Sequence, residues 1–91
     1  MNFIIEKNRI YVNNESNQMV AEVTFPNISD DVVEINHTFV DDSLRGQGVA
    51  GKLLEMATSK IREDHKKVKP TCSFAVKWFE KNIAYQDLLA E

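Results

Sequence analysis

The chain has 91 residues, 43% of them hydrophobic and 27% charged, with a net charge of −3. This length suits one domain with one core, expected to run over residues 1–91. No apolar run reaches the roughly 18 to 20 residues that span a bilayer, and the acidic balance argues against a nucleic-acid backbone as the main ligand.

The opening stretch MNFIIEKNRIYV has no positively charged start and is broken by Glu6 and Lys7, so it does not read as a signal peptide. The lone Cys72 cannot close an internal disulfide, which fits a reducing, cytoplasmic setting. The first strands are predicted at FIIE (3–6), RIYV (9–12), MVAEVTF (19–25) and VVEINHTFV (32–40). The breaks between them, Lys7-Asn8, NNESN and PNISDD, are short enough for hairpins, so an antiparallel meander is expected.

After Val40 the period changes. Val49, Ala50, Leu53, Leu54, Ala57 and Ile61 recur at helical steps, which predicts a helix from about residue 46 to about residue 64. VKPTCSF follows as a short fifth strand; Ala75, Trp78, Phe79 and Ile83 then mark a shorter helix before a last turn at AYQDLL. The fold class is therefore α/β: a mixed sheet of four antiparallel strands, a crossover helix, a fifth strand parallel to the fourth, and short C-terminal helices. A ligand at the start of the crossover helix would meet the carboxyl ends of strands four and five.

All three glycines lie in LRGQGVAGKLL, at positions 46, 48 and 51. A helix start leaves about four N–H groups unpaired and carries roughly half a positive charge, so it attracts phosphate. A tight turn alone rarely needs three glycines, and a glycine inside a helix costs about 1 kcal/mol relative to alanine. A P-loop is ruled out because Leu53 stands where a Ser or Thr should ligate magnesium. A dinucleotide fingerprint lacks its acidic ribose partner, since HKKVKPTCSF occupies that region. A coenzyme A loop needs neither metal nor ribose carboxylate, only the backbone cradle, a basic residue such as Arg45, and a strand edge where pantetheine can add.

On these residues, VDDSLRGQGVAGKLLEMA resembles the signature segment of the GNAT superfamily of N-acetyltransferases, with Arg45, Gly48 and Ala50 at the motif positions. AVKWFEKN, residues 75–82, is similar to the family's following segment, and the resemblance covers about residues 32 to 82. The stretches NHTFVDDSLRGQGVA and PTCSF look like a minimal subfamily of small acetyl-CoA-binding proteins. The resemblance implies acetyl-CoA as cosubstrate and no metal. It places the pyrophosphate on the N–H groups of Arg45, Gly46, Gln47, Gly48, Val49 and Ala50, with Gly51 completing the loop. The pantetheine and the thioester carbonyl would meet the backbone of Phe39 and Val40.

The chain departs from the family pattern at three places. The tyrosine that protonates the leaving thiolate falls at Phe79, which inherits a position near the coenzyme but has no proton to give. An asparagine position falls at Cys72, expected beside the thioester as a nucleophile, a proton donor or a core thiol. Only Lys7 and Asn8 separate the first two strands, so the helices that build the family's acceptor site are missing. His37 is in phase with Val33, Ile35 and Phe39, hence expected on an apolar face as a catalytic base or a structural histidine. Gly51 is expected to let the helix pack close to the sheet.

The expected activity is acetyl transfer from acetyl-CoA to an unidentified amine or protein acceptor, by a monomer or weak dimer. The rival is a non-catalytic acetyl-CoA binding or sensing module, and a small interaction domain with a glycine turn is a third reading.

Overall fold

The computed structural model describes residues 2–90. Strands β1 (Phe3–Glu6), β2 (Arg9–Asn13) and β3 (Met19–Thr24) come first, then β4 (Val32–Ile35) and β5 (His37–Val40). Helix α1 (Val49–Glu63), strand β6 (Lys67–Pro70) and helix α2 (Ser73–Lys81) complete the chain, with 3₁₀ turns at Asp42–Leu44 and Ile83–Leu88. The mixed α/β order predicted from the sequence is present, and no helix among the described residues is long and apolar enough to cross a membrane.

The hairpins form because the turns supply what their backbones need. Asn8 bonds the Phe25 carbonyl through its side-chain amide at 2.9 Å. Asn17 takes a positive φ of 62° in the second turn, a conformation asparagine tolerates better than most side chains. Ile10, Val12, Ala21 and Val23 are buried on the inner face, and α1 packs across β2, β3 and β5. Leu53, Leu54 and Ala57 of the helix are each 0% exposed and Ile61 1%; burying each leucine stabilises the fold by roughly 1.5–3 kcal/mol. Thr58, also buried, returns its hydroxyl to the Leu54 carbonyl at 2.7 Å and so brings no unsatisfied group into the core.

One expectation needs correction. The predicted fourth strand is two strands that share one stretch of chain. β4 pairs with β6 in parallel, Val33 opposite Val68 and Ile35 opposite Pro70, whereas β5 pairs with β3 antiparallel, Thr38 opposite Val23 and Val40 opposite Ala21. Asn36 belongs to neither, and its side-chain oxygen accepts a 2.6 Å bond from Thr24. The sheet order is thus β1-β2-β3-β5, with β4-β6 as a separate pair.

This single unpaired residue changes the phase of side-chain alternation. Val33 and Ile35 are buried before it. After it Thr38 and Val40 take the inner face, opposite the buried Val23 and Ala21, while His37 and Phe39 turn outward. The sequence expectation that His37 shares the apolar face of Val33 and Ile35 is overturned by this shift.

Candidate coenzyme site

β6 ends at Pro70 while β5 runs on to Val40. The last β6-side hydrogen bonds are those of Thr71 and Cys72, whose N–H groups both reach the Ile35 carbonyl, at 3.0 and 3.3 Å. Beyond that point β5 is paired on the β3 side only. The Asp41 N–H donates to the Val20 carbonyl at 2.7 Å, and because alternate residues of a strand point to opposite edges, Phe39 and His37 also turn their main chain toward β3. Thr38 and Val40 present theirs to the open edge. Of the two residues expected to bind pantetheine through their backbone, Val40 has a free edge and Phe39 does not. Thr38, which the sequence reading passed over, has the other free main-chain edge.

Downstream of Val40 the chain makes the 3₁₀ turn. Asp41 caps it, accepting the Ser43 N–H at 3.0 Å, and hydrogen bonding from the Ser43 side chain, together with this N–H, holds the Asp41 carboxyl below the usual carboxylate range. The cap is therefore in force above the carboxylate's ordinary pKa and is lost as the pH falls through its lowered value. Asp41→Ala is expected to weaken coenzyme binding several-fold by loosening the turn, whereas Asp41→Asn, which keeps an acceptor oxygen, holds most of the affinity; calorimetric titration with acetyl-CoA measures both.

Helix α1 starts at Val49, three residues later than predicted, because Gly46 and Gly48 lie in left-handed backbone with φ of 81° and 70°. Arg45 and Gln47 spend their N–H groups within the turn, on the Asp42 and Leu44 carbonyls at 3.1 and 3.2 Å. Among the described residues, the N–H groups of Gly46, Gly48, Val49, Ala50 and Gly51 have no backbone acceptor. These five donors at a helix start are the feature a pyrophosphate needs, and the set differs from the expected residues 45 to 50 by losing Arg45 and Gln47 and gaining Gly51. The Arg45 side chain lies on the surface, 81% exposed, 3.0 Å from Asp42, a pairing weak enough to yield to a phosphate. A cavity of about 380 Å³ opens against the loop, with Gln47, Gly48, Gly51 and Lys52 on its wall.

Gly51 carries a second correction. A side chain there would meet nothing within 4 Å, and its φ is unexceptional. Neither close packing against the sheet nor backbone conformation requires glycine at this position.

At the near end of the open edge, Cys72 sits immediately before α2 without a capping side-chain bond, and its Sγ lies 3.4 Å from the Thr38 hydroxyl. Cys72 and His37, both candidates for the chemistry, are not in contact. Cys72 meets the inner-face Thr38, while His37, on the outer face of β5, has its Nε2 3.3 Å from Glu22. Phe79 also departs from expectation: it is 2% exposed, packed edge-on to Trp78 with ring centroids 5.1 Å apart. Because Ala75 and Phe79 point to the same side of α2, into the core, Phe79 is a packing residue and offers a coenzyme no surface. The Val49 side chain, 4% exposed, is likewise turned into the core.

Residues 9–88 match the family model for the GCN5-related N-acetyl-transferase. A GCN5-like protein from Staphylococcus aureus, solved in solution, is similar over 98% of this chain and 87% of its own, with 35% identity and a TM-score of 0.82. An acetyltransferase from Bacillus cereus shares 24% identity over 80% of this chain and 53% of its own, with a TM-score of 0.64. A Mycobacterium tuberculosis protein solved in complex with CoA shares 15% identity over 82% of this chain and 46% of its own, with a TM-score of 0.66. This chain thus spans about half the length of the last two, which speak to the fold alone. No curated protein matches the sequence. With the family model covering nearly the whole chain, the protein belongs to the GCN5-related N-acetyltransferase family, whose fold supports acetyl transfer from acetyl-CoA.

Proposed function

We propose that the chain, acting as one domain over its 91 residues, transfers the acetyl group of acetyl-CoA to a primary amine, and that the amine belongs to a macromolecule. The observation that carries this reading is the run of five unpaired N–H groups at the start of α1, leading directly to the open edge of β5. The pyrophosphate rests on those N–H groups with Arg45 beside it. The pantetheine amides extend along Thr38 and Val40 as an added strand. The thioester then reaches the point where β5 and β6 part, near Cys72.

In this reading the amine attacks the thioester carbon, with His37 taking its proton, and the coenzyme sulfur leaves as thiolate. Cys72 returns a proton to that sulfur. The separation of Cys72 from His37 supports a proton donor over a nucleophile, because the thiol's hydrogen-bonding partner is a neutral hydroxyl and, among the described residues, no base is hydrogen-bonded to it. The macromolecular acceptor follows from the two-residue turn between β1 and β2, where no further structure encloses a small molecule. A free thiol in this role suits a reducing, cytoplasmic setting.

Mass spectrometry after incubation with acetyl-CoA tests the role of Cys72. The expected result is no acetyl adduct on Cys72, together with slower coenzyme release in Cys72→Ser; a stable acetyl adduct that disappears in the variant would establish the nucleophile instead. Amide shifts of Leu44 to Gly51 on titration with acetyl-CoA test the site itself, and the absence of shifts at millimolar ligand would remove it. A second reading, a non-catalytic acetyl-CoA sensor, is favoured by the buried Phe79 at the position of the family's tyrosine. Tight binding with no thiol release from any amine probe distinguishes it.

A further inference from the structure

The outer face of the four-stranded sheet carries an ordered charged network that nothing in the coenzyme site requires. Register sets Arg9, Thr24 and His37 in one row across β2, β3 and β5, and Tyr11, Glu22 and Phe39 in the next. Glu22 sits at the centre. Its carboxylate accepts from Arg9 Nε, and its Oε1 lies 3.3 Å from His37 Nε2. Arg9 is itself fixed from below and from the side, with its guanidinium 3.8 Å over the Tyr11 ring and 3.4 Å from Glu6.

Exposure grades outward through this group: the Glu22 side chain is 14% exposed, Arg9 32% and His37 51%. A carboxylate so far removed from water is costly unless paired, and Arg9 supplies the pairing. A cross-strand ion pair would be complete with those two residues. The third member, the imidazole, is held through Nε2 alone and stands at the rim.

We propose that Glu22, clamped by Arg9, is a positioning residue that holds His37 in the tautomer protonated at Nε2, leaving Nδ1 to take the proton of an amine acceptor arriving on this face. The inference rests on His37 serving as the base in the function proposed above. A neutral imidazole has one protonated nitrogen, and a carboxylate at Nε2 selects that nitrogen as the donor. As the amine nitrogen bonds to the acetyl carbon, its proton passes to Nδ1, the carbon–sulfur bond breaks, and the coenzyme thiolate is protonated from Cys72 on the inner side. Glu22, Arg9 and Glu6 are the charged groups gathered around this network, with the neutral Thr24 and Asn36 adjoining; Cys72 lies across the strand. The two proton transfers thus occupy opposite faces of β5, and an acceptor on the outer face never has to pass the coenzyme.

The test combines two measurements on the full chain. Imidazole ¹⁵N spectra in mildly alkaline buffer should show His37 protonated at Nε2 in the parent and a mixture of tautomers in Glu22→Gln, with Glu22→Ala as the second variant and the α1 amide pattern confirming the fold. Coenzyme thiol release with butylamine and polylysine as probes should fall roughly 10- to 100-fold in Glu22→Gln, by analogy with the partners that orient metal-bound histidines, while the KM for acetyl-CoA holds. An unchanged tautomer in both variants overturns the inference whether or not the probes turn over. Thiol release slowed by His37→Gln but untouched by either Glu22 variant overturns it as well and leaves the base in place. Release unaffected by His37→Gln removes the base reading itself.

Discussion

Alanine at position 51 is expected to make the free protein more stable and a poorer binder of acetyl-CoA. Gly51 lies inside α1, where alanine is favoured by about 1 kcal/mol, and its side chain would enter open space. For a domain of this size that gain corresponds to a rise in melting temperature of roughly 4–8 °C. The same methyl group would project into the cavity that the loop shares with Gly48 and Lys52, and a loss of affinity of about tenfold, or about 1.4 kcal/mol, is expected. Gly48→Ala supplies the contrast. Its φ of 70° penalises any side chain, by roughly 1–2 kcal/mol, so stability and affinity should fall together. Thermal melts paired with acetyl-CoA titrations decide the matter. If Gly51→Ala were to gain stability at no cost in affinity, the ligand could not be approaching the helix at that residue.

Leu53→Ala is expected to cost about 2–5 kcal/mol of stability, the largest effect of any substitution discussed. Leu53 is 0% exposed, one turn into α1, and belongs to the core that seats the helix on β2 and β3. Domains of this kind have only about 5 to 15 kcal/mol in total, so the melting temperature should drop on the order of 10–30 °C. Urea unfolding should show a lower midpoint with an unchanged slope. Acetyl-CoA should recover part of the loss, because a ligand that binds only the folded state stabilises it by mass action. A variant rescued by acetyl-CoA in Leu53→Ala but not in Leu53→Ala combined with Gly48→Ala would tie the recovery to the loop.

Much of this arrangement was legible in the sequence. Apolar alternation in FIIE, RIYV and MVAEVTF gave three strands at nearly their true bounds, and the three-and-four spacing from Val49 to Ile61 gave α1. The glycine cluster marked the turn that opens α1, because the positive φ of Gly46 and Gly48 leaves a direct trace in residue choice. What escaped depends on pairing partners. VVEINHTFV alternates plausibly as one strand, and only its pairing with β6 on one side of Asn36 and with β3 on the other reveals the change of phase. His37 and Phe39 were therefore assigned to the wrong face, and Thr38 was passed over although it is the polar residue on the inner side. Glu22 and Arg9 were missed for a related reason. Thirteen positions separate them in the chain, and their meeting is a matter of register rather than of local pattern. Phe79 was assigned to the coenzyme by resemblance, whereas its burial follows from sharing a helix side with Ala75.

Asn36 also determines how the site tolerates change. The opening beside β5 is set by a count of residues between two strand pairings, so replacing side chains along Val32–Val40 alters what lines it without sealing it. Removing Asn36 would act differently: the two halves would fall into step as one regular strand, with Ile35 and Thr38 still facing inward, and the irregularity at which β4 and β5 exchange partners would be lost. In lineages that carry this fold, substitutions should be free to retune the lining while insertions and deletions in this short stretch are purged, because there length and not composition determines whether the edge of β5 stays open.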